Sequence, residues 1–312
     1  MSVVSILIVG AGAAGGYIGA QLVAAERTVT FLVHPPTLAR LASDGLRIRH
    51  GDRIQSYQAN AVTAADLQGP YDVIVMAVRT DAVESAASDI RNAVGPHTRI
   101  VPVMNGLRHL SLLTASFGNE RVLGTATRLV TSLLPDGTIN EVTAGIDMQI
   151  GQLDGGRSDG LQRTVAALDV DNIAVTVTND VIAAMWEKFA FITSTAVLTC
   201  LVGADIGQIA HADGGTSLAH NVLDEVLSVA AAHGYPLADS ARQGLTRILT
   251  DPTSDFGPSM FRDLSAGRPV EITVLTDLAD HARARGISTP LLDASMVVID
   301  LHNRGLRNLS PK

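Results

Sequence analysis

The chain has 312 residues, of which 46% are hydrophobic and 17% charged, and its formal net charge is −8 at pH 7. This acidic balance argues against nucleic-acid binding, which needs a basic surface, although it permits a local basic pocket for an anionic ligand. The single cysteine excludes a disulfide framework and fits a reducing compartment. A chain of this length can bury one large core or, as we expect, two smaller ones.

The N-terminus and the longest apolar stretch predict a soluble, cytoplasmic protein that does not bind a membrane. No basic region or small-residue cleavage site precedes the first predicted strand, so a signal peptide is not expected. The stretch at residues 189–203 is interrupted by threonine and serine and falls short of the roughly 20 residues that cross a bilayer.

The first half of the chain alternates strands and helices. Continuous apolar runs such as residues 71–78 are typical of strands buried on both faces of a parallel sheet. The predicted strands are residues 6–9, 29–33, 71–78 and 99–104, and the predicted helices are residues 13–25 and 81–94. This order predicts an α/β protein with an N-terminal Rossmann-type, doubly wound parallel sheet. Two further strands, near residues 146–150 and 173–177, are expected to extend the edge of that sheet.

From about residue 179 onward the chain reads as helical. Glycine and proline breaks, of the kind found between the helices of a bundle, occur at residues 203, 214–215, 234–236, 251–252 and 267–269. We therefore predict a dinucleotide-binding domain over residues 1–178. An all-helical domain that binds substrate and carries the catalytic residues is predicted over residues 179–312.

A glycine-rich turn follows the first predicted strand and opens the first predicted helix. Gly10, Gly12 and Gly15 match the Gly-x-Gly-x-x-Gly dinucleotide fingerprint in its required context. The first glycine allows the tight turn, the second lets the backbone approach a pyrophosphate, and the third lets the helix pack against the strand. We therefore predict that Gly10, Gly12, Ala13, Ala14 and Gly15 bind a dinucleotide. A merely tight structural turn is the alternative.

The residues after the second predicted strand favour NADP as that dinucleotide. NAD-binding proteins usually carry an acidic residue there, which binds the ribose 2′-hydroxyl and would repel a 2′-phosphate. Here the strand runs into His34 and two prolines, with no acid. His34, Arg40 and Arg79 are therefore the candidate contacts to a 2′-phosphate, although His34 is alternatively a solvated loop residue.

Lys188 is an ionisable residue in a strongly apolar stretch. No further charge follows it through Val202, which predicts a buried helix. A cation there must be paired or used in chemistry, unless its ammonium extends to the surface, which is the alternative. Because residues four apart share a helix face, Ile192 and Ala196 continue the face of Lys188. Together with the glycine-rich turn, this proton donor points to a nicotinamide-dependent carbonyl reductase.

Two C-terminal segments carry further candidate polar residues. A short predicted helix places Ser259 and Asp263 on one face. The next helix is predicted to begin at residues 270–271, which puts Glu271 in its first turn, where a carboxylate is favourable with the helix dipole. Alternatively, Ser259 and Glu271 do no more than start their helices.

These motifs together resemble the ketopantoate reductase (2-dehydropantoate 2-reductase) family over nearly the whole chain. Four ordered motifs are far more specific than any one of them. They are the glycine-rich turn, Asn105-Gly106, Trp186-Glu187-Lys188, and Ser259 to Asp263 followed by Gly267-Arg268-Pro269-Val270-Glu271.

The resemblance implies NADPH-dependent reduction of a 2-keto acid to a D-type 2-hydroxy acid, as in the conversion of ketopantoate to pantoate in the pantothenate pathway. It implies that Lys188 is the general acid and that Asn105 lies near the nicotinamide and the substrate. Ser259, Asp263 and Glu271 would hold the substrate, and Glu271 would also lie at the cofactor and catalytic centre.

The chain also departs from the family pattern. Ile192 and Ala196 stand where the family usually has asparagines that face the substrate, and Thr276-Asp277 stands where an Asn-Gly is expected. His34 and Arg79 replace the family's basic residue after the second strand and its lysine after the third. These departures predict retained chemistry with an altered substrate pocket.

Three functions remain open from the sequence. The first is a ketopantoate reductase proper, and the second is a relative with another keto substrate, including D-2-hydroxyacid dehydrogenases that prefer NAD. The third is a non-catalytic NADP-binding protein, which would not need a proton donor such as Lys188. No metal is expected, because the nine histidines and single cysteine show no ligand pattern. The predicted partner is a small-molecule 2-keto acid, and a homodimer is compatible with the sequence.

Overall fold

The computed structural model describes residues 4–309 and shows two compact units. The first unit comprises the residues up to Met104 together with Arg108–Met185. The second comprises Asn105–Leu107 and the residues from Trp186 onward. The three residues Asn105–Leu107, which lie in the first half of the sequence, therefore belong to the second unit.

The first unit is built on a five-stranded parallel sheet with the strand order β5-β2-β1-β6-β7. Its strands are β1 (Ser5–Val9), β2 (Thr28–Leu32), β5 (Ala61–Val62), β6 (Tyr71–Met76) and β7 (Val94–Pro102). Leu7 of β1 lies opposite Thr30 on one side and Ile74 on the other, so β1 is central and buried on both faces. This confirms the predicted Rossmann-type sheet.

Five helices belong to the first unit, and their apolar faces bury the parallel strands. They are α1 (Ala13–Ala24), α2 (Pro35–Asp44), α3 (Val83–Asp89), α4 (Arg108–Phe117) and α5 (Asp159–Leu168). The helix predicted over residues 81–94 is confirmed in position but is not continuous. α3 lies between 3₁₀ turns at Thr80–Ala82 and Arg91–Ala93, and β7 already begins at Val94. Pro96 cannot continue a helix, and Thr98 fixes the strand start by accepting from the Gly95 N–H at 2.8 Å.

Two smaller sheets complete the first unit, with the strand orders β4-β3-β10-β9 and β12-β11-β8. Their strands are β3 (Leu46–His50), β4 (Arg53–Tyr57), β8 (Leu123–Arg128), β9 (Thr131–Leu133), β10 (Ile139–Glu141), β11 (Ile146–Gln152) and β12 (Ile173–Val177). The prediction that β11 and β12 extend the parallel sheet is wrong. β11 pairs antiparallel with β8, and an isolated bridge between Ile100 and Val122 is what links β7 to the start of β8.

A buried tyrosine fastens α1 to the four-stranded sheet. The Tyr17 hydroxyl donates to Glu141 Oε2 of β10, and the same carboxylate oxygen lies 2.9 Å from His50 Nδ1 of β3. Burial, reinforced by this hydrogen bond to a carboxylate, raises the pKa of Tyr17 above its ordinary value. α1 is the helix that follows the glycine-rich turn, so this contact also supports the turn.

The second unit is helical, as predicted. Its helices are α6 (Val181–Val202), whose first turn belongs to the first unit, then α7 (Ile206–His211), α8 (Gly215–Ala232), α9 (Asp239–Leu249), α10 (Ser259–Ser265), α11 (Thr273–Arg285) and α12 (Pro290–Leu309). Two polar contacts hold α12 in place. Glu225 of α8 accepts the N–H groups of Leu291 and Leu292 at the start of α12, and Asn303 bonds both backbone groups of Val270.

The apolar helix α6 is the core of the second unit. Its length and composition would suffice to cross a membrane, but 61% of its 18-residue apolar window is buried inside the structure, as in the core helix of a globular protein. The hydroxyls of Thr193, Thr195 and Thr199 each donate to the backbone carbonyl four residues earlier, at 2.7–2.9 Å. Because of these hydrogen bonds, the three threonine hydroxyls have acceptors inside the apolar helix.

The Tyr17 contact yields a stability prediction. The Tyr17→Phe variant should lower the free energy of unfolding of the first unit by about 1.5–3 kcal/mol, because a hydrogen bond to a charged group is lost in a buried setting. Tyr57→Phe removes the hydroxyl of a half-buried residue on the exposed edge strand β4 of the same sheet and should cost less than about 0.5 kcal/mol. Urea unfolding followed by circular dichroism measures both. Equal effects of the two substitutions would contradict the role given to Tyr17.

Candidate active site

The glycine-rich turn of the first unit is tightly built. The Gly10 N–H donates to Leu32 O of the neighbouring strand at 3.0 Å, and Gly10 has φ +93°, which side chains rarely adopt. A Cβ on Gly15 would collide with the Gly10 carbonyl oxygen and lie 2.8 Å from Cβ of Ala77. Gly10 and Gly15 are thus required by the turn and by close helix–strand packing, as the motif predicts.

The space beyond this turn fits a dinucleotide diphosphate. Gly12 occupies the N-cap of α1 in an extended conformation, no side chain caps the helix, and a Cβ placed on Gly12 would meet nothing within 4 Å. Ala13, Ala14 and Gly15 form the first turn of α1, at the positive end of the helix dipole. No acidic side chain lies in the first turn of α1. This arrangement is the one that backbone recognition of a pyrophosphate uses.

The end of β2 carries no carboxylate that could bind a ribose 2′-hydroxyl. Val33 is buried, and the exposed His34 forms the N-cap of α2. The Arg40 guanidinium, half-buried on α2, donates to the Gly137 carbonyl at 3.2 Å. Arg79 is exposed at the end of the β6 segment, where its Nη2 lies 3.2 Å from Asp81 Oδ2. The three predicted 2′-phosphate contacts thus belong to one unit, but both arginines already have protein partners.

Lys188 lies two turns into α6, and its side chain is largely removed from solvent. Burial lowers the pKa of Lys188 from its ordinary value to about 8. An ammonium with such a pKa is mostly protonated at neutral pH and still loses its proton readily, which is the property a general acid needs. The predicted helix is therefore observed, and the Lys188 ammonium is enclosed by protein atoms although the residue as a whole is half-buried.

Asn105 follows β7 and is exposed in the short segment that belongs to the second unit. Gly106 has φ +79°, and the Leu107 N–H donates to Asp277 Oδ2 of α11 at 2.6 Å. This hydrogen bond joins residues 170 positions apart in the chain and is buried. Sequence reasoning identified Asn105-Gly106 but did not predict the role of Asp277.

An aromatic and imidazole cluster packs on the side of α6 that carries Trp186. The Trp186 ring centroid lies 5.1 Å from that of His281 and 5.3 Å from that of His233. His281 is also edge-on to Phe189 and to His233. Burial lowers the pKa of His281, against the opposing effect of Asp277, whose Oδ1 is 3.6 Å from His281 Nε2. The helix segment next to Lys188 is thus fixed by ring packing.

The C-terminal candidate residues differ in their exposure and in the ion pairs and hydrogen bonds that their side chains make. Ser259 is the first residue of α10 and is exposed. The Asp263 carboxylate accepts from the Arg268 guanidinium at 2.8 and 3.0 Å, so its charge is already paired. Glu271 is half-buried and accepts the Thr273 hydroxyl at 2.9 Å.

The predicted start of the helix after Pro269 is wrong. α11 begins at Thr273, so Glu271 precedes the helix instead of lying in its first turn. The reason lies in α12, because Asn303 bonds both the N–H and the carbonyl of Val270 at 2.9 and 3.0 Å. These bonds hold the backbone before Glu271 outside the helix.

Ile192 and Ala196 continue the helix face of Lys188, as the spacing predicts. Ile192 is half-buried, whereas Ala196 is fully buried. Neither side chain offers a hydrogen-bond donor or acceptor. Of the two predicted pocket residues, Ile192 is the one with surface available to a ligand.

A Rossmann-type sheet with a dinucleotide turn, followed by a helical unit that carries a buried lysine, defines a nicotinamide-dependent oxidoreductase. The model of the family described as "Ketopantoate reductase PanE/ApbA" matches residues 6–155, and that of its C-terminal part matches residues 180–303. The chain belongs to the ketopantoate reductase family, whose members are oxidoreductases acting on CH–OH groups.

Two bacterial relatives match the chain over more than 90% of both sequences. The chain is 27% identical to the uncharacterized oxidoreductase YkpB of Bacillus subtilis, over 92% of this chain and 95% of that protein. It is 24% identical to a 2-dehydropantoate 2-reductase of Mesorhizobium japonicum, over 94% and 96% of the two chains.

Solved structures share the fold. A putative ketopantoate reductase from Ralstonia solanacearum superimposes with a TM-score of 0.84 at 25% identity, covering 98% of this chain and 99% of that one. A D-mandelate dehydrogenase solved with NADH and anilino(oxo)acetate gives a TM-score of 0.86 at 16% identity, covering 97% and 99%. At that identity the second likeness concerns the fold alone.

The pKa of Lys188 yields a pH prediction. Activity in the reductive direction (kcat/KM) should fall above about pH 8, as the ammonium loses its proton. The Lys188→Ala variant should lower kcat by at least about 100-fold and leave the affinity for the dinucleotide within a few-fold, because the acid is removed and the cofactor turn is intact.

Lys188→Arg serves as the matched control. Its guanidinium stays protonated throughout the assay range, so the alkaline fall should disappear from an already weakened enzyme. Steady-state kinetics from pH 6 to about pH 10 measure these profiles. Near-normal turnover by Lys188→Ala would contradict the general-acid assignment.

Proposed function

We propose that this protein reduces a 2-keto acid to a 2-hydroxy acid with NADPH, and that Lys188 is the general acid. The observation that carries the proposal is a buried ammonium whose pKa is lowered to about 8, within the family's Trp-x-Lys motif. A protein that only bound the dinucleotide would have no use for a desolvated cation, which is costly to bury. This argues against the non-catalytic alternative.

The glycine-rich turn would hold the dinucleotide, whose reduced nicotinamide would supply the hydride for the keto carbon. The carbonyl oxygen then gains negative charge, and Lys188 Nζ stabilises this charge and delivers a proton to it. A positioned acid of this kind typically contributes about 100–10,000-fold. Asn105, Ser259 and Glu271 are proposed to orient the substrate, and Glu271 is also proposed to hold the ammonium.

The preference for NADPH rests on the end of β2 and on Arg79. No carboxylate follows β2 to repel a 2′-phosphate, and Arg79 is exposed, so a 2′-phosphate could compete with Asp81 for its guanidinium. Arg40 is a weaker candidate, because it is half-buried and bonded to Gly137. NADH remains the alternative, as in the solved D-mandelate dehydrogenase complexes.

Arg79 and its ion-pair partner give a paired test of the cofactor preference. The Arg79→Ala variant should raise KM for NADPH by at least about 5-fold and that for NADH by less than 2-fold, because the 2′-phosphate is the group that distinguishes the cofactors. Asp81→Asn is the matched control, since it removes the negative charge that competes with a 2′-phosphate for Arg79 and should lower KM for NADPH. Equal effects on both cofactors would contradict the 2′-phosphate contact. Tighter binding of NADH by the wild type would overturn the preference itself.

Ketopantoate is one candidate substrate, and the reaction would then supply pantoate for the pantothenate pathway. A bulkier or less hydroxylated 2-keto acid is the second candidate. Ile192 favours the second, because a half-buried alkyl group stands where the family usually offers an amide. An unmade hydrogen bond to a buried substrate hydroxyl costs on the order of 1–3 kcal/mol.

A panel of 2-keto acids, assayed separately with NADPH and NADH, tests the proposed function and ranks these candidates. The Ile192→Asn variant should shift the ratio of kcat/KM toward ketopantoate by about 5- to 100-fold relative to an aromatic or branched keto acid. Ala196→Asn is the control, because it places an amide where no solvent reaches and should mainly lower stability. A wild type that prefers ketopantoate over every other member of the panel would contradict the altered pocket. Absence of turnover with all members would overturn the proposed reductase.

The cellular setting is also a proposal. We propose a cytoplasmic enzyme, supported by the single cysteine and by the largely buried state of the apolar helix α6. Its partner would be the small-molecule keto acid, and neither nucleic acid nor a membrane is proposed as a partner. A homodimer is compatible with this proposal and is tested by light scattering at assay concentration.

A further inference from the structure

The loop that carries Asn105 is held by one carboxylate of α11. Asp277 Oδ2 accepts the Leu107 N–H at 2.6 Å, and a Cβ placed on Gly106 would lie 2.5 Å from the same oxygen. Gly106 has φ +79°, so both its conformation and its close approach to the carboxylate favour glycine. Asp277 therefore contacts the two residues that directly follow Asn105.

Asp277 is a costly residue at this position. It lies in the middle of α11, is 5% exposed and is flanked along the helix by the buried residues Leu275, Leu278 and Ala279. A carboxylate at such a site is unfavourable unless hydrogen bonds to it compensate for its lost hydration. The short, buried, charge-assisted bond from Leu107 supplies such compensation, which identifies the contact as specific.

The second oxygen of the same carboxylate lies near His281, whose ring contacts the helix that carries Lys188. Asp277 Oδ1 lies 3.6 Å from His281 Nε2, one turn later on α11. The His281 ring is edge-on to Trp186, with centroids 5.1 Å apart, and to His233, with centroids 4.7 Å apart. His233 Nε2 in turn lies 3.0 Å from the His281 carbonyl oxygen, which fixes the imidazole pair.

We propose that Asp277 is a positioning residue of the reductase. It holds the Asn105 loop through Leu107 and contacts the Trp186 face of α6 through His281, so that one side chain sets two proposed site elements of the second unit. The activity arm of the test below rests on the proposed function, whereas its exchange arm does not.

Hydrogen exchange at the Leu107 amide tests the contact directly. In the Asp277→Ala variant, exchange of this amide should accelerate at least about 10-fold, because its buried acceptor is lost. In Asp277→Asn the amide oxygen can still accept the bond, so most of the protection should remain. Asp280→Ala, on the exposed face of α11, is the charge-matched control and should leave Leu107 unchanged. Unchanged exchange in folded Asp277→Ala would overturn the proposal.

Steady-state kinetics test the positioning role. The Asp277→Ala variant should lower kcat by about 10- to 100-fold with KM values for cofactor and keto acid within about 3-fold, because misplaced groups slow the chemical step more than they weaken binding. Asp277→Asn should recover at least a third of wild-type kcat, and Asp280→Ala should match the wild type. If Asp277→Ala does not fold, Asp277→Ser keeps a polar group, is too short to reach Leu107, and carries the same expectation.

Two outcomes separate this proposal from the proposed function. In the first outcome, the wild type turns over no 2-keto acid, but protection of the Leu107 amide still depends on Asp277. This outcome overturns the proposed function and the positioning role, whereas the contact between Asp277 and Leu107 is confirmed. Wild-type turnover that survives Asp277→Ala within about 2-fold, with Leu107 exchange accelerated, overturns the positioning role alone.

Discussion

Burial of the Lys188 ammonium is the constraint on which the proposed chemistry depends. An ammonium in an apolar helix loses hydration, and the resulting fall of its pKa to about 8 makes the lysine a better acid than it would be in water. At neutral pH a group with that pKa is still about 90% protonated. The threonine hydroxyls of α6 are hydrogen-bonded within the helix, and ring packing fixes the segment around Trp186. Both contacts hold the part of α6 that carries the Lys188 cation.

The proposed cofactor site of the first unit is built from backbone groups, whereas the proposed catalytic residues of the second unit act through their side chains. At the start of α1, close glycine contacts shape the turn that is proposed to bind the diphosphate, and no acidic side chain lies in the first helical turn. In the second unit, by contrast, burial lowers the pKa of Lys188 and of His281, and Asp277 is a buried hydrogen-bond acceptor. This division explains why the glycine-rich turn can be recognised in a sequence with no knowledge of its surroundings. The properties of Lys188 depend on the finished fold.

The parts of the fold that follow local periodicity could be predicted from the sequence. The parallel strands, the helical second half and the shared face of Lys188 and Ile192 all arise from such patterns. The strands of the four-stranded sheet were missed because they are short and polar, and β4 is exposed along almost its whole length. The start of α11 was misplaced because the bonds from Asn303 come from 33 residues further along the chain. Asp277 could not be identified as a contact of Leu107, since no local signal connects residues 170 apart.

The assignment of Asn105–Leu107 to the second unit has a consequence for how this protein can be divided. The chain passes from the first unit to the second after Met104, returns after Leu107 and crosses again after Met185. No single cut therefore yields two intact halves. A helical fragment that begins at Trp186 would lack the Leu107 amide that Asp277 binds, and an N-terminal fragment would retain three residues whose packing partners are gone. A chimaera of two relatives joined at one junction would likewise combine the three-residue segment of one parent with the helical unit of the other.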